Sequence, residues 1–264
     1  MRTTDRVLDL DDGELVYLSA GTGPLVVLTH ALGPLAWGRV ERLTESCTVA
    51  IPDWEKTTMD RGTSWALGWF EPLVRALGHE RGALCAWSMS GPGAIYFAGE
   101  GSDVLSRLIL VDVAGLGPDL PPLRWRDLPH FVAMRLLGRP TRGFARMLWR
   151  NWVWQEGLDT KELEEATLRF FRANPDAFGL PGSEEEDDDE EDESLVDELP
   201  SIAVPTQVLV GKHSGVLGPE YGRAAVDRLP DGELVVFEQS GHALQLEERE
   251  KFQEVVAGFV AGAA

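Results

Sequence analysis

Continuous apolar runs alternate with helix-periodic segments along most of this chain, and this alternation constrains the fold more than any other feature. The run PLVVLTH, residues 24–30, is too uniformly apolar for a strand with one solvated face, so both of its faces are expected to be covered. Such strands, separated by helices, form a mainly parallel sheet with helices on both sides. The predicted strands are 14–20, 24–30, 47–53, 82–88, 107–113, 206–212 and 233–239, and the predicted core helices are 64–77, 89–99, 219–228 and 245–261.

The alternation stops between residues 115 and 203, where helical patterns occur without a strand pattern. We therefore divide the chain into an α/β core, residues 1–114 and 204–264, and an inserted helical cap, residues 115–203. The cap is rich in Trp and Phe, which either form its own small core or face a binding cleft beneath it. Its predicted helices are 125–138, 143–154 and 160–174.

Ten consecutive carboxylates, residues 184–193, lie in an acidic loop of the cap, residues 183–198. Because adjacent carboxylates repel one another and offer no apolar surface to bury, we expect this run to be solvated, mobile and dispensable. The run supplies half of the formal net charge of −20, so the rest of the chain is also acidic. An acidic surface repels nucleic acid and anionic lipid, which excludes both as main partners. We expect a small-molecule substrate and a monomer or homodimer.

Several features predict a cytoplasmic protein without a membrane segment. No stretch reaches 18 apolar residues, and the N-terminus MRTTDRVLDLDDGE has no apolar signal region. Cys47 and Cys85 both lie in apolar strand-like runs, which is typical of reduced core cysteines rather than of a disulfide. The five histidines are not spaced as metal ligands, so no metal site is predicted.

Ser88 lies in the stretch CAWSMSGPG, residues 85–93, between a predicted buried strand and a predicted helix. The small residues Ala86 and Ser90, two positions before and after it, permit the sharp strand-to-helix turn that presents a nucleophilic serine. Glycines are usual at both places, so the motif is a degenerate form. A helix that begins at this turn directs the positive end of its dipole toward the serine and toward a developing oxyanion. The pattern predicts Ser88 as a nucleophile.

Two other stretches also follow predicted strands. VVLTHALG, residues 26–33, ends a buried strand at His30 and then turns. EQSGHALQLEERE, residues 238–250, places His242 after a Ser-Gly turn, where the C-terminal helical segment begins. A histidine after the last strand is placed to act as a general base toward a serine at the same edge of the sheet.

Taken together, LVYLSAGTGPLVVLTHALG, VAIPDWE, CAWSMSGPGA and SGHALQLEERE occur in an order and spacing that resemble the α/β-hydrolase superfamily over nearly the whole chain. The resemblance implies an eight-stranded, mainly parallel sheet flanked by helices, with the insertion as a cap and no cofactor. It implies that Ser88 is the nucleophile and His242 the base. It also implies that the backbone N–H groups of Leu32 and Met89 bind the oxyanion.

The chain departs from this family at the third member of the triad. The family usually carries its acid after the seventh strand, and in VLVGKHSGVLGPE that place holds Ser214, which cannot supply a negative charge. Some members, such as the haloalkane dehalogenases, carry the acid after the sixth strand, and Asp112 matches that place. Asp112 is therefore the candidate acid, although a purely structural aspartate at this position is equally consistent with the sequence.

These residues lead to one main functional hypothesis and two alternatives. The main one is a serine-dependent hydrolase of an ester, thioester or related acyl substrate with an apolar body, acting through an acyl-enzyme. The first alternative is a C–C bond hydrolase or a cofactor-free lyase or cyclase on a natural product, since one fold hosts several chemistries. The second is a ligand-binding protein without catalysis. In each case, Trp87, Trp149 and Trp152 are the predicted substrate-binding aromatics.

Overall fold

The computed structural model describes residues 5–59, 67–117, 126–174 and 195–262 of the chain. Within them an eight-stranded sheet is flanked by helices, which confirms the predicted fold class. The strands are β1 Asp5–Leu10, β2 Gly13–Ala20, β3 Leu25–Thr29, β4 Thr48–Pro52, β5 Gly82–Trp87, β6 Leu105–Val111, β7 Thr206–Gly211 and β8 Gly232–Phe237.

The strand order is β1-β2-β4-β3-β5-β6-β7-β8. β1 pairs antiparallel with β2, and β2 pairs antiparallel with β4. Every other neighbouring pair is parallel, so the carboxyl ends of β3 to β8 lie at one edge of the sheet. Binding and catalytic groups of open parallel sheets collect at this edge.

The α-helices of the described residues fall between the strands and in the cap. In chain order they are α1 Phe70–Ala76, α2 Gly91–Gly99, α3 Leu128–Leu137, α4 Arg142–Trp152, α5 Lys161–Ala173, α6 Leu195–Glu198, α7 Pro219–Val226, α8 Leu244–Glu247 and α9 Arg249–Ala261. The predicted helix at 64–77 begins among residues 60–66, which lie outside the described residues.

Both faces of the central strands are buried, as the continuous apolar runs predict. In β3, Val27 packs into the core on one face of the sheet, whereas Val26 and Leu28 pack into the core on the other face. β5 behaves in the same way, with Leu84 on the first face and Cys85 on the second. A side-chain period of two therefore fills two separate cores from one apolar sequence.

β1 was not among the strands predicted from the sequence. Its sequence DRVLDL mixes charged and apolar residues without a regular alternation, and most of its side chains are exposed. The strand is held by antiparallel pairing with β2, in a register that places Val7 opposite Val16. A short edge strand with few buried residues gives little hydrophobic signal of its own.

Three helices, α3, α4 and α5, lie between residues 126 and 174 of the predicted cap, where no strand occurs, and the short helix α6 lies near the end of the cap. They share a small apolar core, which consists of Met134, Phe144, Met147, Leu148 and Phe171. Trp149 and Leu163 instead join the core on one face of the sheet, so the cap packs on the α/β core as well as on itself. The acidic run at 184–193 lies outside the described residues.

Among the described residues, no helix combines the length and the apolar character needed to cross a bilayer. Cys47 and Cys85 are both buried free thiols. The same residues contain no group of three or more His, Cys, Asp or Glu side chains arranged to hold a metal ion.

Candidate active site

Ser88 directly follows β5 and has a φ of +54°, a backbone conformation that non-glycine residues rarely adopt. Such strain costs about 1–3 kcal/mol and persists where the surroundings hold it. A 3₁₀ turn, Ser88–Ser90, leads from the strand into α2. A Cβ atom at Gly91 would lie 2.3 Å from Cβ of Val113, so only glycine lets α2 start this close to the end of β6. The turn therefore holds Ser88 at the carboxyl edge of the sheet.

The His242 ring lies between the serine and a carboxylate. Its Nε2 atom is 2.9 Å from Ser88 Oγ, and its Nδ1 atom is 2.9 Å from Asp112 Oδ1. An ionised carboxylate can only accept hydrogen bonds, which assigns the ring proton to Nδ1 and leaves Nε2 to accept from the serine hydroxyl. This is the tautomer that can take up the proton of an attacking serine.

Asp112 follows β6, is fully buried and has a φ of +42°. Its Oδ1 atom also accepts from Ser214 Oγ at 2.7 Å and from Leu217 N at 3.2 Å, and its Oδ2 atom accepts from Gly211 N at 3.0 Å. A buried carboxylate is tolerated when donors surround it in this way. The carboxylate is thus fixed in place with one oxygen toward the histidine ring.

The structure places Ser214 beside Asp112 instead of in the role of the usual acid. Its hydroxyl donates to Asp112 Oδ1 and accepts from Val216 N at 3.1 Å. Asp112 accordingly supplies the negative charge at the His242 ring, and Ser214 helps to orient that carboxylate. The geometry brings together all four residues that the sequence analysis considered for the triad.

The main chain of His242 is held from two sides. Its N–H donates to Trp152 O at 2.7 Å, and its carbonyl accepts from Trp87 Nε1 at 3.0 Å. The ring centroids of Trp87 and Trp152 lie 5.3 Å and 5.2 Å from that of His242. The aromatic side chains near the site therefore position the histidine.

This arrangement corrects the prediction that Trp87 and Trp149 contact a substrate. Both side chains are buried where the cap packs on the α/β core, and the indole N–H of Trp149, on α4, donates to Thr167 Oγ1 on α5 at 2.9 Å. Trp152 is half-buried and packs against Trp149 and His242. Sequence alone does not distinguish an aromatic that packs against a catalytic group from one that lines a cleft.

The two candidate oxyanion donors differ in their surroundings. Met89 is the residue after Ser88, in the turn that opens toward α2, where the first N–H groups of a helical segment have no partner within it. The N–H of Leu32 donates to His30 Nδ1 at 3.1 Å. A substrate oxygen must therefore compete with the His30 ring for this N–H. Burial, with a smaller contribution from His242, lowers the pKa of His30 to about 3, so its ring stays neutral at ordinary pH.

A cavity of about 370 Å³ opens beside the serine turn, between the carboxyl end of β3 and the cap helix α5. Its lining residues include Ser90, in the turn that follows β5, and Leu32, in the loop that follows β3. An ion pair between Arg169 and Glu55, 2.9 Å from Nη2 to Oε1, joins the cap to the core there. The other lining residues are mostly apolar: Ala31, Trp54, Met59, Leu67, Ala166, Phe170 and Ala173, with Thr29, Thr57 and Asn174.

Glu247, five residues after His242, is a buried carboxylate that was not predicted as a site residue. Its oxygens accept backbone N–H groups from Trp154, Gln155 and Gly241 at 2.6, 2.7 and 2.8 Å. Burial raises the pKa of Glu247, and these three hydrogen bonds act in the opposite direction. The signal available in sequence was a glutamate within the apolar stretch ALQLE, which carries no information about its partners.

A protein-family model described as the alpha/beta hydrolase family matches residues 26–255. Two curated relatives are named 2-hydroxy-6-oxo-6-phenylhexa-2,4-dienoate hydrolase. The relative from Burkholderia cepacia is 25% identical over 260 residues, which cover 92% of this chain and 89% of the relative. The relative from Comamonas testosteroni is 27% identical over 270 residues, which cover 96% and 93%.

Two solved structures show the same fold at low sequence identity. A meta-cleavage product hydrolase from Pseudomonas fluorescens superposes with a TM-score of 0.73 at 21% identity, over 98% of each chain. An esterase from Exiguobacterium antarcticum superposes with a TM-score of 0.72 at 20% identity, over 97% of this chain and 99% of the esterase.

Proposed function

Because the chain belongs to the alpha/beta hydrolase family, we propose that it is a serine-dependent hydrolase of an ester, thioester or related acyl substrate. The observation that carries this proposal is the continuous path from Ser88 Oγ through the His242 ring to Asp112 Oδ1, with both gaps at 2.9 Å. A serine hydroxyl is a weak nucleophile unless an adjacent base takes its proton, and this base is oriented by a third group.

In the proposed reaction, His242 Nε2 takes the proton of Ser88 as its Oγ attacks the acyl carbon. The backbone N–H of Met89, with that of Leu32, stabilises the oxyanion, at about 3 kcal/mol per donor in well-studied cases. His242 then gives its proton to the leaving group, and an acyl-enzyme remains on Ser88. A water molecule, deprotonated by His242, then attacks the ester carbon; the bond between Ser88 Oγ and the acyl group breaks, His242 returns the proton to Ser88 Oγ, and the acid is released. Asp112 stabilises the imidazolium formed in both halves of the reaction.

The cavity beside the site supports an apolar acyl body. Its volume lies at the lower end of the range for small-molecule sites, about 300–1,000 Å³. Trp54, Met59 and Phe170 supply apolar surface, whereas Ser90 and Thr29 supply a few hydroxyls near the serine turn. A ring or a medium-length chain fits such a space better than a bare acetyl group does.

A second candidate function is hydrolysis of a C–C bond. The two curated relatives support it, because the compound in their name contains a ketone and no ester, so its hydrolysis must break a carbon–carbon bond. The same three residues can serve this reaction, with an enolate-type carbon instead of an oxygen as the leaving group. A cofactor-free lyase or cyclase reaction uses the same base. A binding protein without catalysis requires no aligned triad, so the geometry speaks against it.

The proposed function is tested with an alkyl fluorophosphonate probe and two substrates, p-nitrophenyl benzoate and 2-hydroxy-6-oxo-6-phenylhexa-2,4-dienoate. We expect the probe to label the protein and Ser88→Ala to abolish labelling. Faster turnover of the ester supports the acyl hydrolase, and faster turnover of the dienoate supports the C–C hydrolase. Labelling that survives Ser88→Ala would overturn the assignment of the nucleophile. A cytoplasmic location and a monomeric or homodimeric state remain predictions.

A further inference from the structure

Glu247 links two parts of the chain that are distant in sequence. It is the last residue of the short helix α8 and is buried. Its Oε1 atom accepts from the N–H groups of Trp154 and Gln155, which follow the cap helix α4. Its Oε2 atom accepts from the N–H of Gly241, the residue before His242. One carboxylate therefore binds the cap with one oxygen and the histidine turn with the other.

Further contacts join the same two segments. The N–H of His242 donates to Trp152 O at 2.7 Å, and Gln155 Nε2 donates to Gln239 O at 3.0 Å. The main chain approaches so closely that a Cβ atom at Gly241 would lie 2.4 Å from Trp152 O. The cap segment at residues 152–155 thus lies directly against the turn at residues 239–242, and Glu247 closes the contact.

The chemistry of this contact requires two acceptor oxygens. Three N–H donors face the side chain of Glu247, and a carboxylate can accept from all of them. A glutamine has one oxygen and one NH₂ group, so its NH₂ must face an N–H group of either Gly241 or the cap. One of the two segments is then left with an unsatisfied buried donor, which is costly. A glutamate at position 247 can therefore bind both segments at once, whereas a glutamine cannot.

We propose that Glu247 is a positioning residue that fixes the cap segment 152–155 to the turn carrying His242, so that the histidine keeps its reach to Ser88 only while this segment is docked. The inference rests on the proposed function, in which His242 is the base. Glu247 acts on the reaction through the main chain of His242, since its own contacts are with Gly241 and the cap. This part of the cap is accordingly a fixed support for the site, in contrast to a freely opening lid.

The neighbouring residue offers a matched control. Glu248 is part-buried, and a single oxygen, Oε2, accepts from Gln239 N at 2.9 Å and from Ser240 Oγ at 2.7 Å. Its other oxygen lies 3.8 Å from Lys251 Nζ. In Glu248→Gln the amide oxygen can keep both hydrogen bonds. The same change one residue earlier, Glu247→Gln, must lose at least one.

The experiment compares wild type, Glu247→Gln and Glu248→Gln by two measurements. The first is hydrogen–deuterium exchange of peptides covering residues 152–155, 239–242 and, as a reference for folding, α9. The second is the rate of phosphonylation by the fluorophosphonate, in which the Ser88 Oγ–P bond forms, the P–F bond breaks, fluoride leaves and the serine proton passes to His242. Saturation kinetics separate the maximal rate of inactivation, kinact, from the binding constant of the probe, KI.

We expect Glu247→Gln to speed exchange in both peptides and to lower kinact about 10- to 100-fold, because small displacements of a catalytic group cost this much. KI and exchange in α9 should stay within about twofold of wild type, as should every value for Glu248→Gln. An unchanged kinact in Glu247→Gln would refute the positioning role, and so would equal effects of both variants. If the probe does not label the wild-type protein, the proposed function is refuted. The exchange data would still test whether Glu247 joins the two segments.

A second variant covers the case in which Glu247→Gln fails to fold. Gly241→Ala introduces a Cβ atom against Trp152 O while Glu247 stays intact. If the docked segment positions His242, this change lowers kinact and speeds exchange of residues 152–155 in the same way. A normal kinact together with fast exchange would show that docking and catalysis are independent, and would overturn the inference.

Discussion

Ser214 Oγ lies 2.7 Å from Oδ1 of Asp112, the same carboxylate oxygen that faces the His242 ring. The residue at the usual place of the acid therefore donates a hydrogen bond to an acid that comes from the neighbouring strand. The carboxylate at the His242 ring follows β6; the last residue of β7 holds it with a backbone N–H, and the loop after β7 holds it with a hydroxyl and a second N–H.

Replacing the acid should nearly abolish turnover. In Asp112→Asn the side chain keeps its shape but loses its charge, so the imidazolium at His242 is no longer stabilised. We expect a fall in kcat on the order of 10⁴, as in the serine-protease case. The measurement is kcat with the better of the two test substrates, with circular dichroism as the control for folding. A loss smaller than about tenfold would show that another group serves as the acid.

Removing the supporting hydroxyl should have a much smaller effect. Ser214→Ala deletes one of four hydrogen bonds to Asp112, and the N–H groups of Gly211 and Leu217 still hold the carboxylate. A hydrogen bond to a charged group contributes about 1.5–3 kcal/mol, and only part of this acts on the reaction. We expect kcat to fall about tenfold or less. Equal losses in Ser214→Ala and Asp112→Asn would contradict this division of roles.

The cavity should set the size of the acyl group. Ala173 lies on α5 and lines the cavity, so Ala173→Phe fills part of it. We expect kcat/KM for p-nitrophenyl benzoate to fall at least about tenfold while p-nitrophenyl acetate changes little, since excluded methylene-sized groups cost about 1–3 kcal/mol each. Arg172→Phe adds the same ring one residue earlier, at a position that does not line the cavity, and serves as the control. Similar changes for both esters would argue against this cavity as the acyl site.

His30 should make the fold less stable in mild acid. Its pKa in the folded protein is about 3, whereas in the unfolded chain it is near 6.5, so below pH 6.5 the unfolded state binds the extra proton. The contribution of His30 to the free energy of unfolding is therefore fully present above pH 6.5 and is lost as the pH falls toward 3. At pH 5 the loss is about 2 kcal/mol.

The test is chemical denaturation at several pH values. His30→Asn keeps an acceptor for the N–H of Leu32 but does not titrate. We expect the free energy of unfolding of this variant to depend less on pH between 7 and 5 than that of wild type. Parallel curves for the two proteins would mean that His30 is accessible to protons in the folded state.

The contact between α2 and the end of β6 should tolerate no side chain. Gly91→Ala places a methyl group against Val113, and we expect a loss of about 1–3 kcal/mol from overpacking. Val113→Ala makes room for this methyl group. The loss of unfolding free energy in the double variant should therefore be smaller than the sum of the losses in the two single variants. Strict additivity in denaturant unfolding would indicate that the helix start relaxes without cost.

Most of the sheet was predictable because its central strands are buried on both faces and therefore read as continuous apolar runs. The edge strand β1 was not, since its stability comes from pairing with β2 and not from burial. Ser88 and His242 could be located by their place after strands. Asp112 could be named only as a candidate, because the loop conformation that brings Ser214 and two N–H groups to it leaves no pattern in sequence.

The aromatic residues illustrate the other limit. The sequence predicts Trp87 and Trp149 as large rings near the site. In the structure, however, their indole N–H groups donate to His242 O and Thr167 Oγ1. Whether a ring faces a core or a cleft depends on partners that are far away in sequence. The same holds for Glu247, whose cap partners lie more than 90 residues earlier in the chain.

The order in which the site residues occur along the chain also matters while the protein is being made. His242 lies 154 residues after Ser88 and 130 after Asp112. At translation rates of about 5–20 residues per second, His242 is synthesised on the order of ten seconds after β5 and β6. During that interval the nascent chain displays a serine with no base to activate it. A ribosome that stops before the codon for His242 consequently releases a polypeptide that cannot form an acyl-enzyme by this route, however well β1 to β6 have folded.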